Sequence, residues 1–96
     1  MKLSKHDAYV QELCDRIKPD YDSLSLNVPI RSCKRQFGEI DVVAKKDGKI
    51  DVYEVKCSHR IVKARKQLSR IKRFVRSAKN AYFYCGSSGL LLQLNI

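Results

Sequence analysis

Between Gly38 and Ser58 the chain reads GEIDVVAKKDGKIDVYEVKCS, two apolar runs joined by Asp47-Gly48 and interrupted by acids. Glu39 and Asp41 fall in the first run, Asp51 and Glu54 in the second, and Lys56 closes it. Residues two apart on a strand share a face and lie about 6–7 Å apart. Glu54 and Lys56 therefore point one way, Tyr53 and Val55 the other. Asp41, on the neighbouring strand, can face Glu54 across the pair. Two carboxylates that meet in a strand-rich segment repel and resist desolvation unless a cation lies between them. Mg2+ (or Mn2+) suits such a site, being hard, oxygen-seeking and commonly held by one or two carboxylates plus water. Lys56 would not be a ligand there; it would orient or deprotonate a water, or neutralise a phosphate. This is the residue set of metal-assisted phosphodiester hydrolysis, in which a metal polarises the phosphoryl oxygen and a lysine gives electrostatic or general-base help. A solvated hairpin face with cross-strand acid–lysine pairs would carry the same residues without chemistry. Spacing alone leaves both readings open.

The elements that must position these residues follow from periodicity. Ser4 to Lys18 reads as a helix, with Ser4 and Asp7 as a capping box and Val10, Leu13, Cys14 and Ile17 on one face. Pro19 ends it. LSLNVPI, residues 24–30, alternates as a strand, and Pro29 puts it near a sheet edge or a strand end. RSCKRQFG reads as a polar, basic link. EIDVVAKK and KIDVYEVK form a hairpin across the Asp47-Gly48 turn. From residue 60 to 79 the spacing of Ile61, Ala64, Leu68, Ile71, Val75 and Ala78 is helical. NAYFYC and LLLQLNI are strands around a GSSG turn. The expected order is α-β-β-β-α-β-β without internal repeats, an α/β fold with a central mixed sheet flanked by helices.

Ninety-six residues suggest a single domain, 1–96, with a modest core. No apolar run approaches the roughly 20 residues of a membrane span, and MKLSKHDAYVQEL lacks a signal-peptide core. These features suggest an intracellular, cytoplasmic protein, with a virus or mobile element open as its source. Twenty Lys and Arg against ten Asp and Glu give a net charge of +10, which suggests a polyanion partner, most simply nucleic acid. Arg60, Lys63, Arg65, Lys66, Arg70, Lys72, Arg73, Arg76 and Lys79 crowd the second helix, and Arg31, Lys34 and Arg35 precede the first acidic strand. Phosphate contacts by such residues give affinity but little sequence information. Because no base-reading motif is recognisable, DNA shape is the expected target. A membrane-surface role for the basic helix is disfavoured, since it lacks Trp and its apolar stripe is needed by the sheet. The cysteines, Cys14, Cys33, Cys57 and Cys85, contain no C-x-x-C pair, and His6 and His59 do not complete a zinc site. Buried free thiols are expected.

Asp41, a turn, then Glu54-Val55-Lys56, followed by a basic helix, resembles the PD-(D/E)xK nuclease superfamily. The phrasing is similar to archaeal Holliday junction resolvases and Mrr- or VRR-type nucleases. The resemblance spans most of the chain, although Ile40 stands where the family has a proline before the aspartate. It implies a restriction-endonuclease-like αβββαβ core and a Mg-dependent endodeoxyribonuclease acting on branched or otherwise structured duplex, as a homodimer. It implies Asp41, Glu54 and the Val55 carbonyl as metal ligands and Lys56 as the catalytic lysine. It also implies an acid on the first helix that reaches the site, for which Glu12 is the candidate ahead of Asp15 and Asp7. Gln67, on the basic helix, would support the site. Lys63, Lys66 and Arg70, with Arg31, Lys34 and Arg35, would hold DNA. The terminal runs NAYFYC and LLLQLNI are apolar enough for a dimer interface or a core. The rival reading is an inactive nuclease-fold protein that only binds nucleic acid; retention of Asp41, Glu54 and Lys56 together argues against it.

Overall fold

Asp47 and Gly48 both adopt positive φ, 51° and 76°. That is the requirement of a two-residue type I′ turn, whose twist matches the strands it joins. The turn folds β2 (Arg35–Lys46) onto β3 (Lys49–Lys56), with Lys46 opposite Lys49. The computed structural model describes residues 3–32 and 35–96, so Cys33 and Lys34 lie outside it. β1 (Ser23–Ser32) runs antiparallel along the other side of β2, β4 (Ala78–Cys85) pairs parallel with β3, and β5 (Leu90–Leu94) returns antiparallel to β4. The result is a five-stranded mixed sheet in the order β1-β2-β3-β4-β5. Pro29 lies on the edge strand β1, where its missing N–H costs no central ladder bond.

Two helices cover the two faces. α1 (Lys5–Ile17) starts at Ser4, whose Oγ accepts from the Asp7 N–H at 3.0 Å, and gives way to a 3-10 turn, Lys18–Asp20, that contains Pro19. It buries Val10, Leu13 and Ile17 against Val42, Ala44, Tyr53, Val55 and Tyr84. α2 (Ile61–Phe74) buries Ala64, Leu68 and Ile71 against Val43, Val52, Ala81 and Phe83 on the opposite face. Strand alternation sends Val42 and Val43, or Val52 and Tyr53, to opposite layers. Each fully buried Leu or Val contributes roughly 1.5–3 kcal/mol. No helix among the described residues is long and apolar enough to cross a membrane.

The structure corrects several boundaries. The basic link expected after Ile30 is mostly strand, with Arg31 opposite Gln36 and Ser32 opposite Arg35; backbone pairing overrides polar composition there. α2 stops at Phe74, not Lys79. Continuing it would set Arg76 one turn from Lys72 and Arg73, a like-charge repulsion on a helix. Ala78 instead opens β4, opposite Ile50. NAYFYC is interior, since β4 lies between β3 and β5 and buries Ala81, Phe83, Tyr84 and Cys85. That strand cannot be the dimer face its apolarity suggested. Of the described free thiols only Cys85 is buried; Cys14 and Cys57 are half-buried.

Candidate active site at the open end of the central hairpin

The β2–β3 ladder runs from Lys46–Lys49 to Val42–Tyr53 and stops one pair short of Asp41 and Glu54. Past that point the Val55 N–H has no ladder acceptor and donates to Asp41 Oδ2 at 2.8 Å. The parting of the strands thus fixes the Asp41 carboxylate by a backbone bond. Glu54 is 3% exposed, the one charged side chain buried among the described residues. Burial, and then the nearby Asp41 charge, push its carboxyl up from 4.5 to about 7, while Lys56 pulls the other way. Lys56 Nζ lies 3.1 Å from Glu54 Oε2. The Lys56 carbonyl accepts from the Gly86 N–H at 2.8 Å, which ties the lysine backbone to the end of β4.

His6, from the first turn of α1, completes the arrangement. Its Nε2 is 3.0 Å from the Val55 carbonyl oxygen and 3.4 Å from Asp41 Oδ2. A carbonyl only accepts, so Nε2 carries the proton in this bond. The resemblance implies only an acid from α1, and as a zinc ligand His6 has no partner set, so neither expectation places it here. Periodicity held the missing signal, because residues 6, 10, 13 and 17 follow helical spacing and put His6 on the buried stripe of α1.

Glu12 is not part of this group. It lies six residues beyond His6, about 9 Å along the helix, and its carboxylate accepts a hydrogen bond from Tyr84 Oη. Asp15 is exposed and 3.7 Å from Lys18. Gln67 is exposed and lines a small cleft with Phe37, Gly38, Glu39 and Arg70. No described side-chain hydrogen bond links it to Asp41, Glu54 or Lys56. Asp51 points to the α1 layer, where its carboxylate accepts from Tyr21 Oη at 2.6 Å and Asn80 Nδ2 at 3.0 Å. Lys63, Lys66 and Arg70 are exposed on α2, and Arg31 and Arg35 on the β1–β2 arm.

Among the described residues no three His, Cys, Asp or Glu side chains converge as a metal cluster. The donor set is two carboxylates and the Val55 carbonyl, all hard oxygens. Its chemistry fits a hard divalent cation, which is commonly held by one or two carboxylates with further oxygen ligands. No protein-family model matches the chain, and no curated protein matches it.

Proposed function

We propose that this chain is a metal-dependent nuclease of the PD-(D/E)xK type, hydrolysing DNA phosphodiester bonds on a restriction-endonuclease-like core. The observation that supports it most is the meeting of Asp41, buried Glu54 and Lys56 where β2 and β3 part. Asp41, Glu54 and the Val55 carbonyl would hold the ion, which when bound supplies Lewis-acid polarisation of the phosphoryl oxygen and a more acidic water. The Val55 N–H keeps the Asp41 carboxylate oriented before substrate arrives. Lys56 spends one of its three N–H donors on Glu54 and has the others for a phosphate oxygen, where its charge offsets the charge that builds up in the transition state. Exposed Lys63, Lys66 and Arg70 give sequence-independent phosphate contacts, which suits selection by DNA structure, as at a junction or flap.

The test is cleavage of junction, flap, duplex and single-stranded DNA in Mg2+, Mn2+ and EDTA. Wild type cleaves only with metal. Folded Asp41→Asn and Lys56→Met lose activity by on the order of 10²–10³-fold or more, and Lys56→Met still binds Mg2+ by calorimetry. Undiminished cleavage by folded Asp41→Asn would refute the assignment.

A further inference from the structure

On the α2 side of the sheet, away from the carboxylates, Phe37 and Phe74 stack with ring centroids 4.8 Å apart and planes 21° apart. The contact is built by local backbone irregularity. Between Ile30 and Arg31 the β1–β2 register shifts, and Phe37 is the extra residue on β2. A bulge of this kind re-aims a side chain. Gly38 follows at φ 148°, a conformation that side chains rarely adopt, and a Cβ there would meet no neighbouring atom, so its glycine serves the backbone and not a close contact. The bulge turns Phe37 onto the last residue of α2. Phe37 rests partly on the core, but Phe74 is 43% exposed.

Cations surround the pair. Arg35 Cζ lies 5.4 Å and Arg70 Cζ 5.9 Å from the Phe37 centroid. A groove of about 580 Å³ is lined by both rings with Lys66, Ser69, Arg70 and Arg73, and no acidic residue lines it. The exposed Phe74 ring, backed by Phe37 and flanked by guanidinium groups, suits a single strand, one of whose bases stacks on it while its phosphates meet the cations. Phe37 and Asp41 are four residues apart on β2, about 13 Å, and the smaller cleft holding Glu39 and Gln67 adjoins Phe37 and Arg70.

We infer that the Phe37–Phe74 pair is a stacking platform for an unpaired base of single-stranded DNA. This rests on the nuclease reading and narrows its substrate to DNA with an unpaired segment beside the cleaved strand. An aromatic platform gives a preference that charge alone cannot, because it distinguishes a strand with bases from one without.

The test measures fluorescence anisotropy in EDTA with a labelled oligothymidylate and an abasic oligonucleotide of equal length. Wild type is expected to bind the base-bearing strand more tightly. Phe74→Leu, which keeps an apolar contact, and Phe37→Leu are expected to weaken that strand by about 5- to 150-fold while leaving the abasic strand within about twofold. Equal binding of both strands by wild type would overturn the inference, as would equal losses on both in the variants. So would a Phe74-dependent dimer in light scattering that excludes DNA, since a second copy would then cover the pair. Cleavage is measured separately with metal. Base-selective binding without cleavage keeps the platform and removes the nuclease; cleavage without base selectivity does the reverse.

Discussion

Replacing Glu54 by Gln should stabilise the metal-free fold at pH 8 while abolishing cleavage. Glu54 is buried and its carboxyl titrates at about 7 instead of 4.5. Between those values the native state keeps a proton that the unfolded chain has lost. Stability contributed by Glu54 is therefore full below 4.5, declines as pH rises through the window and is gone above about 7. The difference amounts to roughly 3 kcal/mol, or about 10–20 °C in Tm for a domain of this size. Gln has nearly the same volume, accepts from Lys56 through its amide oxygen and carries no charge. Thermal unfolding followed by circular dichroism at pH 5 and pH 8 should show wild type losing stability relative to Glu54→Gln as pH rises. Mg2+ at about 100 times its Kd should return about 2.7 kcal/mol to wild type and much less to the variant. Melting curves of the two proteins that move in parallel with pH would refute the reasoning.

His6→Ala removes an N–H from the Val55 carbonyl and from the vicinity of Asp41. Calorimetry should show Mg2+ binding about 2- to 10-fold tighter, the equivalent of one hydrogen bond; weaker binding would mean that His6 is itself a ligand. Gly86→Ala would drive a Cβ into the Tyr9 ring. Urea unfolding should show a loss of about 1–3 kcal/mol. In a Tyr9→Ala background, which carries its own packing loss, adding Gly86→Ala should cost little more; an equal further loss there would place the strain elsewhere.

The elements were legible because their periods differ. Helical spacing in Ile61–Ile71 arises from the face those residues bury, whereas LSLNVPI alternates but changes face at Asn27 (φ 51°), with Leu24 packed on the α1 layer and Val28 and Ile30 on the α2 layer. The grouping of Asp41, Glu54 and Lys56 was legible because Glu54 and Lys56 are two apart on one strand and Asp41 lies next to the Val42–Tyr53 pair on its neighbour. What was not legible depended on competition between neighbours. Whether Ala78 extends a helix or opens a strand depends on Ile50, which pairs with it across the sheet. The bulge at Phe37 arises from the register of β1, which no local pattern encodes. Glu12 was misplaced because spacing gives its azimuth on α1 but not how far along the sheet the helix docks. Tyr84 takes its carboxylate at a depth the sequence does not specify.

The two-residue turn at Asp47-Gly48 separates two events in time. β2 and β3 can close around it from local contacts alone, bringing Asp41 and Glu54 together while water still screens them. Their desolvation must wait for β4, which reaches β3 only through α2 and is a slower, longer-range closure. Repulsion between the carboxylates is then felt late on the folding path. Alkaline pH should act mainly on the unfolding limb of the chevron and leave the folding limb nearly unchanged. A metal that binds the pair would act on the same limb in the opposite sense, lengthening the lifetime of the native state more than it hastens its formation.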